Sequence, residues 1–252
     1  MDDVQYTQYY VAFLDILGFK NIVNTSSFDK VLDIFKSIIT NSEAVKALWH
    51  AAEDDDISTE GERCKQYNES LEETKIHIMS DSIVVATPDW HPESLAVVVD
   101  ICNSIQTLLF NLNAPILLRG AIAIGDFYLN ENLVFGKGLV DAYWAQEKYA
   151  VYPRIIVSND ITVGRRVSID NDNDLPKDED GYYYINCIER YLGKDRTWEE
   201  IESSEPYVKL KNMIDRNLNG YKDDRVRQKY LWLERELERI KNKGYVQLLV
   251  QV

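Results

Sequence analysis

Apolar positions along the chain change period from segment to segment. From Tyr9 to Leu14 the run Tyr-Tyr-Val-Ala-Phe-Leu is unbroken and predicts a buried strand. It ends at a carboxylate, Asp15, followed by Ile16, Leu17 and Gly18. Thr25-Ser-Ser-Phe-Asp29 offers helix-start residues, after which Val31, Ile34, Phe35, Ile38 and Ile39 recur at helical spacing, in a helix with room to continue through Ala44, Leu48 and Trp49. Residues 52–74 are dominated by Glu, Asp, Ser and Asn and read mostly as a solvated loop with space for a short helix. Ile76 to Thr87 then gives two strands joined around Ser80-Asp81-Ser82. Pro92-Glu-Ser leads into a second amphipathic helix carrying Val97, Val98, Ile101, Ile105, Leu108 and Leu109, which stops near Asn113-Ala-Pro115.

The second half alternates again. Ile116 to Ile124 is an apolar strand interrupted only by Arg119 and Gly120. Gly125-Asp126 marks a turn, and Phe127 to Leu129 continues as a strand. Gly136-Lys-Gly138 opens a third helix that runs to about Ala150. Pro153 to Ser158 predicts a strand, residues 170–181 an acidic loop, and Gly181 to Ile188 a further strand. After Trp198 the pattern is helical only, with Leu231, Leu233, Leu237 and Ile240 set among Lys, Arg and Glu, and Tyr245 to Val252 reads as a closing strand. The order predicts an α+β fold, with helices packed on one face of a mainly antiparallel sheet over residues 1–190, and a C-terminal helical appendage over 191–252.

Charge narrows the partners. The formal net charge is -14, from 42 acids against 28 bases, so no basic excess exists to neutralise phosphates. A general nucleic-acid binder or anionic-membrane binder is not expected, whereas a nucleotide held through metal is compatible. Cys64, Cys102 and Cys187 are widely spaced with no CxxC pair, so neither a zinc site nor a disulfide framework is expected. The start of the chain is acidic and polar, unlike a signal peptide, and no apolar run approaches the ~20 residues of a membrane span. These features predict a soluble, cytoplasmic protein.

Asp15 and Asp81 both interrupt apolar segments, and burying a carboxylate is costly without a cation or donors. Either acid alone is explained by the preference of Asp for turns. Together they predict two strand-end carboxylates that meet and hold divalent metal, for which Mg²⁺ and Mn²⁺ suit oxygen ligands. Paired ions of this kind clamp both reacting oxygens of a phosphoryl transfer. Arg119 is a lone cation in an apolar strand, and it either needs an anion or snorkels to solvent at a strand edge. The loop Asp170-Asn-Asp-Asn-Asp174 lacks the glycine and distal glutamate of an EF-hand and is not read as a Ca²⁺ site.

Phe13-x-Asp15-Ile16-x-Gly18-Phe19 resembles the first metal motif of class III nucleotidyl cyclases. Ser80-Asp81-Ser82 is similar to their second, with Ser80 in place of the usual glycine, and Leu118-Arg-Gly-Ala-Ile-Ala-Ile-Gly125 to the strand that carries an arginine and ends in glycine. The order agrees over roughly residues 9–190. Within that family the likeness is greatest to the bacterial pyrimidine cyclases of the Pycsar anti-phage system, through Leu118-Arg-Gly-Ala-Ile122, Tyr152-Pro-Arg-Ile155, Asp180-Gly-Tyr-Tyr183 and Lys229-Tyr-x-Trp-Leu233.

The resemblance implies a ferredoxin-like βαββαβ core and a homodimer with sites at its interface. It also implies two Mn²⁺ or Mg²⁺ ions per site, held by Asp15, Asp81 and the Ile16 carbonyl. Backbone groups around Leu17, Gly18 and Phe19 would cradle a triphosphate, Phe13 would lie beside it, and Arg119 would reach a β- or γ-phosphate. The implied reaction converts UTP, or alternatively CTP, to the 3′,5′-cyclic monophosphate and pyrophosphate. The product would act on a downstream cyclic-nucleotide-gated effector.

The sequence departs from purine cyclases in three places. His77 stands where they carry a base-selecting lysine, and its plainer reading is a strand histidine. The Asn and Arg they carry on the helix after the glycine turn fall here on Tyr143 and Glu147, or on Asp141 and Ala145. Neither alignment supplies the cation, and Lys137, Lys148 and Arg154 remain as substitutes. Tyr143 and Trp144 read either as a base pocket or as core. The missing pair also leaves room for a nucleotide-sensing module that has lost catalysis. A palm-type polymerase relative ranks last, because no GG(D/E)EF-type signature is present.

Overall fold

A computed structural model of the chain describes residues 8–49, 59–164 and 175–250. In order, the elements are β1 (Gln8–Ile16), α1 (Phe19–Thr25), α2 (Phe28–Trp49), α3 (Thr59–Glu72), β2 (Lys75–Met79), β3 (Ser82–Pro88), α4 (Ser94–Asn111) and β4 (Leu118–Asp126). They continue as β5 (Tyr128–Leu129), β6 (Val134–Phe135), α5 (Lys137–Tyr149), β7 (Ile155–Val157), α6 (Asn159–Gly164), β8 (Tyr183–Tyr184), α7 (Cys187–Leu192), α8 (Trp198–Glu202), α9 (Glu205–Gly220) and α10 (Asp224–Val250). Six strands form one sheet in the order β2-β3-β1-β4-β7-β8, and β5 pairs with β6 separately. Within the sheet only β4 and β7 run parallel. The chain leaves β1 through helices, steps over β3 to β2, returns as a hairpin, and steps over β1 to β4 by way of α4. That is the split βαββαβ arrangement of an α+β fold.

Alternation along β1 sorts its side chains onto two faces. Tyr10, Ala12, Leu14 and Ile16 join Ile83, Val85 and the buried side of α4 in the main core. Val11 packs on the other face with Val84, Ala86 and Phe127, and Phe13 leans on this smaller cluster. Helices α2, α3 and α4 layer over the first face, and α5 lies across β1 and β4. The close seat of α5 needs glycines. A Cβ on Gly125 would stand 2.7 Å from the Gly138 nitrogen, and one on Gly138 would stand 2.9 Å from a Val11 methyl. Helix α4 is long and apolar enough to cross a membrane by length and composition alone, but 61% of it is buried inside the protein, as suits a core helix.

Three segments differ from the sequence expectation. Much of the polar stretch before β2 is the helix α3, because Tyr67 and Leu71 recur at helical spacing and Leu71 is fully buried. Residues 52–58 of that stretch, and residues 170–174 of the acidic loop, lie outside the described residues. The strand expected over 181–188 shrinks to β8, and the chain turns into α7 at Cys187. The closing strand is absent from the described residues: α10 runs on as helix to Val250, carrying Gly244 inside it.

Helices α9 and α10 share the main core. Leu210, Met213, Ile214, Trp232, Leu233, Leu237 and Ile240 are all buried in it, each worth about 2 kcal/mol if fully desolvated. Trp232 stacks on Tyr152 with ring centroids 6.1 Å apart and planes at 9°, and its Nε1–H donates to Asp178 at 2.8 Å. The Tyr184 hydroxyl donates to Glu236 at 2.8 Å. Beside them the Arg154 guanidinium, buried completely, pairs with Asp178 and Asp180 and lies over the rings of Tyr152 and Tyr184.

Candidate active site

Register assembles the site at one end of the sheet. Asp15, near the end of β1, sits directly opposite Ser82 on β3 and Arg119 on β4. Paired residues share a face, so these side chains lie in one row on the Val11/Phe13 side. The next row inward holds His77, Val84, Phe13 and Ala121. Asp81 stands in the two-residue turn between β2 and β3, and its carbonyl accepts the Ile16 N–H at 2.9 Å. The Leu17 N–H donates to Leu117 at 2.9 Å. Two backbone hydrogen bonds therefore pin the strand end between its neighbours, next to both acids.

The turn requires a left-handed residue. Ser80 has φ +57°, the only non-glycine residue with positive φ among those described. A glycine would adopt this geometry without steric cost. Gly18, at φ +78°, turns the chain into α1, and no side chain caps that helix. Leu17 and Phe19 turn their side chains to the core, where the Phe19 and Phe35 rings meet at 5.8 Å.

Arg119 finds its anion inside the protein. Its Nε donates to Asp15 Oδ2 at 2.7 Å, and an Nη donates to Glu147 Oε1 at 3.2 Å. The pair is partly shielded, with side-chain exposures of 23% for Arg119 and 18% for Asp15. A carboxylate has about four lone-pair positions, so the arginine leaves the other oxygen of Asp15 available. Three guanidinium hydrogens likewise remain beyond these two bonds.

Helix α5 presents two different sides. Tyr143 and Glu147 look toward the strand end: the Tyr143 ring meets Phe13 edge-on at 5.4 Å, and Glu147 holds Arg119. Asp141 and Ala145 line a cleft of about 470 Å³ with Trp144, Lys148, Ser158 and Tyr182. The Ser158 hydroxyl is buried there without a hydrogen-bond partner. Tyr143 and Trp144 are 43% and 63% exposed, which excludes the core reading of these rings. Of the three candidate cations, Lys137 pairs with Asp141 and Arg154 is committed to Asp178 and Asp180, while Lys148 lies over the Tyr149 ring at 5.1 Å.

The site thus joins Asp15, Ile16, Asp81, Arg119, Phe13 and Tyr143, with His77 two strands away in the Phe13 row. Glu147 as an arginine ligand was not foreseen, although it lies three residues past Trp144 on the segment already singled out. Among the described residues, no group of three Asp, Glu, His or Cys side chains is placed to hold a metal. Two carboxylates and a main-chain carbonyl nevertheless suit Mg²⁺ or Mn²⁺, which are commonly held by one or two carboxylates plus substrate phosphates.

No family model matches the chain, and no curated protein matches it in sequence. Solved structures do match. The guanylyl cyclase domain of a RhoGC fusion protein from the aquatic fungus Blastocladiella emersonii is 15% identical, with a TM-score of 0.43 over 61% of this chain and 80% of that one. The catalytic core of a rhodopsin-guanylyl cyclase with converted specificity, solved with ATPαS, is 15% identical, with a TM-score of 0.46 over 71% and 96%. A bacterial light-regulated adenylyl cyclase is 9% identical, with a TM-score of 0.41 over 83% and 99%.

Proposed function

We propose that the chain is a metal-dependent nucleotide cyclase that closes a pyrimidine nucleoside triphosphate, UTP before CTP, to its 3′,5′-cyclic monophosphate. The observation that carries this reading is the juxtaposition of Asp15 on β1 with the Asp81 turn, joined by the Ile16–Asp81 hydrogen bond, with Arg119 in the same row. The Phe-x-Asp-Ile-x-Gly-Phe and Ser-Asp-Ser motifs fall on those two places.

Asp15, Asp81 and the Ile16 carbonyl would hold the cations, which supply acidification of the 3′-hydroxyl and charge neutralisation at the departing pyrophosphate. The chain's own residues do the rest. The main chain of Leu17 to Phe19, opened by the left-handed Gly18, lets a triphosphate approach the backbone closely. The free donors of Arg119 address its β- and γ-oxygens. Phe13 and Tyr143 wall the sugar side, and the exposed rings of Tyr143 and Trp144 offer stacking surface for a base. His77, in the Phe13 row, would read a base edge. Both reacting groups belong to one molecule, so positioning supplies much of the acceleration. The assembly is a homodimer, and its product addresses a gated effector in anti-phage defence.

Glu147 favours a second reading. It places an anion, not a cation, on the α5 side of the site. A nucleotide-binding module without turnover follows if no other cation enters.

Incubation of the purified protein with each of the four NTPs and Mn²⁺, read by mass spectrometry, decides between them. Asp15→Ala and Asp81→Ala are each expected to lower cyclic product at least about a hundredfold, the scale of losing a charge-stabilising group, while the far-UV spectrum stays unchanged. Absence of cyclic product from all four NTPs refutes the enzyme. Tight nucleotide binding in that same sample establishes the module.

A further inference from the structure

The C-terminal helix brings a second cation to the Asp15–Arg119 pair. The inward face of α10 is fixed by Trp232, Leu233, Glu236, Leu237 and Ile240, all buried. Lys229 lies three, four and seven residues before the first three of these, on the same face and one turn nearer the helix start. The anchor beneath that face is the Tyr152–Arg154 segment, into which Trp232 stacks. That segment is next to Arg119 in the sheet, since Gly120 pairs with Ile155 and donates its N–H to the Arg154 carbonyl at 3.0 Å. Forward from Trp232 the helix meets Tyr184, Asn186 and Glu189 in turn, away from β4, and one turn back the charges of Arg119 and Asp15 both act on Lys229.

The electrostatics agree with this placement. Lys229 is half-buried. Its pKa is pushed down by burial first and by the Arg119 charge next, against the opposing pull of Asp15 and Asp223. Among the described residues no hydrogen bond or ion pair engages its amine. Two cations whose charges act on each other in a partly dry setting are a cost, and so is an ammonium there without a hydrogen-bonded partner. An anion shared between them relieves both costs. Neither Asp15 nor Glu147 fills that role: both bond Arg119, and neither is hydrogen-bonded or ion-paired to Lys229.

We propose that Lys229 and Arg119 together form the polyphosphate-binding part of this site, so that α10 completes it. The inference rests on the reading of the Asp15 end as a nucleoside triphosphate site. Arg119 contributes planar, directional donors, and Lys229 a compact charge with three. Lys229 is a phosphate-binding residue in this scheme, and Glu147 positions Arg119.

The test separates phosphate binding from turnover. Inorganic tripolyphosphate is titrated calorimetrically into the full chain, with and without Mn²⁺, for the native protein, Lys229→Ala, Lys229→Met, Lys229→Arg and the exposed control Lys222→Ala. Lys229→Ala and Lys229→Met are expected to weaken binding about tenfold to a hundredfold, the range for one charge-assisted bond. Lys229→Arg is expected to restore most of it, and Lys222→Ala to change it less than twofold. Lys229→Met keeps the buried stem, so its melting temperature should match the native one. Native-like binding by Lys229→Met, or no tripolyphosphate binding by the native protein, overturns the inference. Lys229-dependent binding in a protein that makes no cyclic nucleotide leaves the inference standing and removes only the cyclase reading.

Discussion

Ser80 shows how a single backbone angle reports on a site. A left-handed conformation costs a residue with a Cβ about 1–2 kcal/mol, and Ser80 bears it in an exposed turn next to Asp81. Ser80→Gly removes the steric cost but gives the unfolded chain more freedom, so the net gain is expected to be about 0.5–1 kcal/mol. For a chain of this size that is a rise of roughly 1–4 °C in Tm, read by differential scanning calorimetry. A fall in Tm would show that the serine makes a compensating contact. Asp15 and Asp81 were legible in the sequence because each interrupts an apolar run. The Asp15–Arg119 pair was not, because the residues are 104 positions apart and only strand register brings them face to face. For the same reason the anion demanded by Arg119 was legible as a need and not as a partner.

At the scale of elements, the seat of α5 is the most exacting. Gly125 was readable as a turn and Gly136-Lys-Gly138 as a helix start, but the fold adds a second requirement, that helix and strand approach backbone to backbone. Gly125→Ala places a methyl group 2.7 Å from the Gly138 nitrogen, a main-chain atom that cannot swing aside. Overpacking of this kind costs about 1–3 kcal/mol, and it lifts the helix that carries Tyr143 and Glu147. The expected result is a lower urea midpoint with an unchanged slope, and a loss of any nucleotide affinity that depends on those two residues. A midpoint equal to the native one would refute the close seat. Long periodic elements such as β1, α2 and α4 were legible end to end. Helix α3 was legible only as space for a short helix, because few of its positions are apolar, and Leu71 marks its buried side only once α4 is in place.

The whole molecule is tied together at its C-terminal helix. The pattern of Leu233, Leu237 and Ile240 announced an amphipathic helix, but what that helix covers depends on tertiary packing. Part of the tie is ionic. Burial alone would raise the pKa of Glu189 on α7, yet hydrogen bonds from Lys243 and Asn186 and the charge of Arg239 outweigh it and hold the carboxyl below its ordinary 4.5. A depressed folded pKa contributes stability that is complete above the unfolded value and is lost as pH falls through the folded one. Thermal melts between pH 7 and pH 3 should therefore show a loss of Tm below about pH 4.5 that is smaller in Glu189→Gln. Equal losses in the two proteins would mean that the carboxylate does not hold α10 to the body.

The position of β1 has a consequence for synthesis. β1 is made before either of its sheet neighbours, β3 and β4, the latter ending at Asp126. As the chain leaves the ribosome, one edge of Tyr9 to Ile16 stays unpaired until β3 has been made, through Pro88, and the other until β4 has been made, through Asp126. An apolar segment left open for that long is a natural target for holding chaperones. Slow, concentration-sensitive recovery from denaturant is the expected signature, because the centre of the sheet closes only when its most distant partners arrive.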